Sequence, residues 1–168
     1  MELHQPAPDF ELADLDGKLH HLSDSLGRIV IVNFWSAECP VAEQVDRELL
    51  GYLKSWGEGV VLLTVAANAN ESEDLLTAAA RSRGLPLVLR CRREILDAYN
   101  AQTTPHLFVV DTEGILRYRG AFDDITFRQR IARKFYLKDA IEAILSGSLP
   151  DPAETAPYGC VITRFVLE

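Results

Sequence analysis

Apolar positions along the chain change period several times, and each change marks an element. From Ile29 to Trp35 the run IVIVNFW is apolar almost throughout and rich in β-branched residues, as suits a central strand buried on both faces. The period then changes. Val41, Val45, Leu49 and Leu53 recur every four residues, which predicts a helix over Pro40–Trp56 with one apolar stripe. Pro40 stands at the first position, where a helix tolerates proline. Val60–Ala66 reads as a second buried strand, and Asn70 with Glu73 three residues on resembles a capping box opening a helix to about Arg83. Before these elements, Leu12–Leu22 reads as a hairpin around Asp16-Gly17. After them come a short strand at Leu87–Leu89 and a short helix near Glu94–Tyr99. A hairpin follows, made of Leu107–Val110 and Ile115–Arg119. The last helix, through Leu137, Ala140, Ile141, Ile144 and Leu145, stops at Gly147. Repeated strand–helix–strand units imply right-handed crossovers and a sheet covered on both faces.

Composition narrows the function classes. A length of 168 residues fits one domain. We expect that domain over residues 1–147, with 148–168 as a breaker-rich tail packed on it. A formal net charge of −8 argues against general nucleic-acid binding, which needs a basic face. No apolar run reaches the length of a membrane span and no signal peptide is visible, so a cytoplasmic location is expected. Three cysteines are too few for a disulfide scaffold, and an odd count in that compartment favours thiols reduced at rest, at least one of them reactive.

Cys39 carries the strongest chemical signal. In VNFWSAECP, Val32–Pro40, a buried strand ends at Trp35 and a helix begins about Pro40. Cys39 therefore falls at or beside the helix N-cap, where unpaired N–H groups and the positive helix end favour an anion. A thiolate is the nucleophilic form of cysteine, so this placement predicts reactivity. Glu38 opposes it by like-charge repulsion.

The element order and four local signals resemble the thioredoxin superfamily, in its redoxin branch that includes the alkyl hydroperoxide reductase/thiol-specific antioxidant (AhpC/TSA) proteins. The signals are Pro6-Ala7-Pro8-Asp9-Phe10 with the first hairpin, VNFWSAECP, Thr104-Pro105 before a strand, and VVDTEGILRYRG at Val109–Gly120. The resemblance implies an α/β three-layer sandwich with a mixed central sheet, an N-terminal hairpin and helices on both faces. It also implies a cis Thr104-Pro105 bond facing the active cysteine. Where thioredoxins read Trp-Cys-x-x-Cys, this chain reads Trp35-Ser36-Ala37-Glu38-Cys39. Ser36 replaces the first cysteine, in a pattern similar to the Thr-x-x-Cys of peroxiredoxins, although the proline of that motif is Val32 here. Asn33 falls where many thioredoxins hold a buried acid, and an amide cannot shuttle a proton.

Disulfide chemistry needs a second sulfur. Cys160, in Pro157-Tyr158-Gly159-Cys160-Val161, is the better candidate, because some redoxin-like proteins with a lone Cys-Pro end in a similar Pro-x-Gly-Cys tail. The alternating residues Val161–Phe165 could equally dock as an edge strand with Cys160 as filler. Cys91, flanked by Arg90, Arg92 and Arg93, is an incidental thiol or a reserve resolving cysteine; the arginines favour its thiolate. The resemblance implies a thiol-dependent oxidoreductase acting on a disulfide-bearing protein or a peroxide, with a thiol reductant such as thioredoxin and no cofactor or metal. Cys39, Cys160 and Ser36 would be its catalytic residues, Ser36 bonding the reacting sulfur. Trp35, Glu38, Pro40, Thr104 and Pro105 would line the substrate side. The alternative is a redox-inactive binding module that uses the cis-proline groove. Arg128, Arg130, Arg133 and Lys134 read as a solvated helix face, or as a contact for an anionic partner.

Overall fold

A computed structural model describes residues 1–166. Its centre is a five-stranded sheet in the order β5-β4-β3-β7-β8. Strands β3 (Ile29–Trp35), β4 (Val60–Ala66) and β5 (Val88–Arg90) are parallel, while β7 (His106–Val110) and β8 (Leu116–Gly120) are antiparallel to their neighbours. Parallel neighbours need crossovers. Helix α1 (Pro40–Trp56) supplies the first, from β3 to β4, and α2 (Glu73–Arg83) the second, from β4 to β5. All seven residues of β3 are buried, as its unbroken apolar run requires.

The pleat sends alternate β3 residues to two cores. Val30, Val32 and Phe34 pack with Phe10 and Leu12, with Leu96 and Tyr99 of α3 (Arg93–Tyr99), and with Phe108. Leu12 belongs to the N-terminal hairpin of β1 (Glu11–Ala13) and β2 (Leu19–His21). Ile29 and Ile31 instead pack with Val45 and Leu49 of α1 and with Leu137 and Ile141 of α4 (Tyr136–Leu145). The mixed, three-layer α/β sandwich expected from the sequence is the one observed. No helix among the described residues is long and apolar enough to cross a membrane.

Three details differ from the sequence reading. The cap of α2 is Ser72, whose hydroxyl accepts the Leu75 N–H at 3.2 Å. Asn70 lies two residues too early to serve as that cap. The third strand is Val88–Arg90, one residue later than expected. The basic run Arg128–Lys134 is not helical. Its loop closes across itself instead, because Asp124 takes the Arg133 N–H on its carboxylate at 2.8 Å and donates its own N–H to Lys134 at 3.2 Å.

Besides the main sheet and the N-terminal hairpin there is a small two-stranded sheet, of which the sequence alternation marked only the tail strand. β6 (Thr103–Thr104) pairs antiparallel with β9 (Cys160–Val161), in the register Thr104 opposite Cys160. The chain reaches it along the edge of β8, where Ala153, Glu154 and Thr155 follow the backbone of Arg119.

Candidate functional site

The site begins where β3 stops. Cys39 has extended dihedrals and is the N-cap of α1, with Pro40 at the first helical position. Its own carbonyl accepts the Glu43 N–H at 3.0 Å, but its side chain makes no capping bond. The sulfur thus lies at the positive end of a 17-residue helix, as the strand-to-helix spacing predicts. Cys39 is 2% exposed, and its sulfur is covered by the tail.

Cys39 and Cys160 form a disulfide, with a Cα–Cα distance of 6.0 Å across a sequence separation of 121 residues. Beside it, Thr104-Pro105 is a cis peptide. The Thr104 carbonyl oxygen lies 3.0 Å from the Cys39 sulfur. The tail thus docks as a strand only over Cys160–Val161, and Cys160 is not filler there but is bonded to Cys39.

The turn between β3 and α1 is braced from beneath by groups that periodicity did not mark. Glu71 is 3% exposed. It accepts the Ser36 hydroxyl at 2.5 Å and the Ala37 N–H at 2.8 Å. Asn68 donates to both Ser36 Oγ, at 3.0 Å, and Glu71, at 3.2 Å. This corrects the role expected of Ser36. Its one hydroxyl proton goes to Glu71, so it is not free to donate to sulfur. The clue in the sequence was Glu71 itself, an acid in the short loop between the buried strand β4 and α2, which the capping-box reading of Asn70 and Glu73 passed over.

Trp35 is fully buried and donates its indole N–H to Asp46 at 2.8 Å. Asp46 sits on the buried face of α1 at 1% exposure. Burial pushes its carboxyl up to about 6, against the lowering effect of its bonds to Trp35 and Arg83. Arg83, at the end of α2, pairs with Asp46 at 3.2 Å, covers the Trp35 ring at 5.2 Å and donates to the carbonyls of Ser36 and Ala37. One half-buried cation thus ties α2, α1 and the turn together.

On the opposite side, His106 follows the cis-proline. Burial first, and then the Arg119 charge, lower its pKa to about 4, so the ring is neutral at pH 7 and its Nδ1 accepts the Gln102 N–H at 3.2 Å. Asn33 is fully buried and, with Thr64 across the β3–β4 register, has side-chain polar atoms without a partner among the described residues.

Cys39, Cys160 and Thr104-Pro105 come together at the disulfide, Trp35 and Ser36 are buried in the brace beneath the turn, and Glu38 and Pro40 stand exposed next to Cys39. Cys91 does not join them. It remains a free thiol, and burial pushes it up to about 12, so the flanking arginines do not make it acidic as expected.

Comparison with known proteins agrees with this geometry. The family model described as AhpC/TSA family matches residues 3–119. Thiol-disulfide oxidoreductase ResA of Bacillus subtilis (strain 168) is 35% identical over 111 residues, covering 64% of this chain and 61% of ResA. The match therefore spans less than two thirds of that relative's length. Among solved structures, the hypothetical protein SMc02350 from Sinorhizobium meliloti 1021 is 25% identical with a TM-score of 0.87, covering 100% of this chain and 97% of its own. The C-terminal domain of a putative thiol-disulfide oxidoreductase from Bacteroides thetaiotaomicron has a TM-score of 0.69 at 17% identity, over 88% of this chain and 98% of its own.

Proposed function

Because the chain belongs to the AhpC/TSA family, we propose that it is a thiol-disulfide oxidoreductase in which Cys39 is the nucleophile and Cys160 the resolving cysteine. The observation that carries this reading is the Cys39–Cys160 disulfide at the N-terminus of α1, against the cis-proline turn. In the reduced protein the helix end favours the Cys39 thiolate. That thiolate attacks a substrate disulfide and forms a mixed disulfide. Cys160 then attacks the Cys39 sulfur, releases the substrate as a thiol and closes the internal disulfide. Two electrons pass from the protein dithiol to the substrate, and an external thiol reductant restores the dithiol. The substrate is a disulfide-bearing protein.

Disulfide exchange is favoured over peroxide reduction by the state of Ser36. A hydroxyl that donates to a buried carboxylate is not available to hold a peroxide. The test is a stopped reaction between the reduced protein and a model disulfide, read by mass spectrometry. Cys39→Ser abolishes the reaction. Cys160→Ser accumulates the mixed disulfide on Cys39, because nothing resolves it. Turnover of hydrogen peroxide with thioredoxin as reductant, at a rate above that with disulfides, would overturn the assignment of substrate.

A further inference from the structure

The tail segment Gly159–Thr163 lies in an extended groove and uses it as a bound peptide would. At one end, Thr103 and Thr104 pair with Val161 and Cys160 in an antiparallel ladder. At the other, Asn68 Oδ1 accepts the Thr163 N–H at 2.7 Å, and the Ala69 N–H donates to the Thr163 carbonyl at 2.8 Å. Both ends hold backbone atoms and so read no side chain. The side chains between them alternate as a strand requires. Cys160 points to the Cys39 sulfur, Val161 is 83% exposed, and Ile162 is 6% exposed within the core of Phe10, Leu12 and Leu96. Gly159 crosses so close to the cis-proline turn that a Cβ would overlap the Thr104 carbonyl, 2.7 Å from its carbon, and lie 3.0 Å from Pro105 Cδ. Only glycine fits there.

The resemblance already gives the cis-proline edge to substrate; we propose that β9 is an internal competitor there of an extended, cysteine-bearing partner segment, and that the tail's own residues display the preference of this groove. The position before the cysteine takes glycine, the position after it is unread, and the second position after it takes a branched aliphatic side chain. The inference rests on the thiol-disulfide reading of Cys39. Substrate and tail cannot share the Thr103–Thr104 edge, so a partner enters only when β9 lifts away from the reduced protein. After Cys39 has captured it, the return of Cys160 both resolves the mixed disulfide and displaces the bound strand.

The test uses full-length Cys160→Ser, reduced, and peptides of sequence Pro-Tyr-Gly-Cys-Val-Ile-Thr activated as mixed disulfides with thionitrobenzoate. Cys39 attacks the peptide sulfur, the probe disulfide breaks, and thionitrobenzoate leaves with the electron pair and is read by its absorbance. Changing the peptide glycine to alanine, or its isoleucine to aspartate, is expected to slow adduct formation at least tenfold. Adding Gly159→Ala to the protein expels β9 and is expected to speed the parent peptide at least tenfold while leaving that discrimination intact. Equal rates for the three peptides on Cys160→Ser, a variant that does not depend on how Gly159→Ala folds, overturn the inference and leave the thiol-disulfide reading standing. So does reaction with dithiobis(nitrobenzoate) but with no peptide. Failure to react with any of these disulfides overturns the thiol-disulfide reading itself.

Discussion

Cys39 and Cys160 meet in one disulfide, yet the segments that carry them are held by different physics. The Cys39 turn grows out of a fully buried strand into a 17-residue helix. Beneath it lies a dense polar brace, with Glu71 on Ser36 and Ala37, and Arg83 on Asp46, Trp35 and two turn carbonyls. The Cys160 segment is a two-residue strand on a two-residue strand, anchored by one buried side chain, Ile162, and a few bonds at Thr163 and Arg164. Short ladders with little buried apolar area open at lower free energy than core elements. In the proposed reaction, this difference gives the fixed part to Cys39 and the moving part to Cys160.

The sharpest way to test that contrast is to break the bond that hides it. A cross-link over a separation of 121 residues removes much unfolded-chain entropy, so reduction is expected to lower global stability by about 5 kcal/mol. Urea midpoints of the oxidised and reduced protein measure this. Hydrogen exchange on the reduced form is expected to show residues 159–163 opening first while β3 stays protected. Equal protection of the two would erase the proposed division of roles.

The brace is the next target. Arg83→Met leaves Asp46 as an uncompensated charge at 1% exposure, and such losses cost about 3–5 kcal/mol. The expected result is a large loss of stability at pH 7, partly recovered near pH 5 as Asp46 takes up a proton. A loss no greater than that of a surface substitution would show that the turn needs no brace.

The smallest effect separates the two sides of the site by pH. Asp46 has a raised pKa, to about 6. Its contribution to stability is complete below the unfolded value near 4 and is lost as pH rises through 6. His106 has a lowered pKa, to about 4. Its contribution is complete above the unfolded value near 6.5 and is lost as pH falls through 4. Each is worth about 3 kcal/mol by linkage, and over the shared window of pH 4 to 6 they oppose one another. Asp46→Asn is therefore expected to make stability rise with pH across that window, and His106→Asn to make it fall. Denaturation midpoints at pH 4.5 and 6.5 check the signs, and unchanged slopes in both variants would remove these two groups from the balance.

Much of this site was legible one residue at a time. The apolar run ending at Trp35, the four-residue stripe from Val41 and the proline at position 40 place Cys39 at a helix N-cap from local rules alone. Thr104-Pro105 was found through resemblance to a family, not through its own composition. Glu71, Asp46 and Arg83 were missed because a buried polar residue looks the same in sequence as an exposed one. What distinguishes them is the partner, and those partners lie 34, 11 and 46 residues away.

The amino-acid order by itself determined the strands and helices of the main sheet, their order along the chain and the turn that bears the first cysteine, since period and capping act over a few neighbouring residues. Tertiary structure alone decided that Cys160 comes to rest on Thr104, that Ser36 serves Glu71 instead of sulfur, and that Cys91 stays out of the chemistry. Each of these depends on which distant surfaces the folded sheet brings within a few ångströms, and no local pattern encodes that distance.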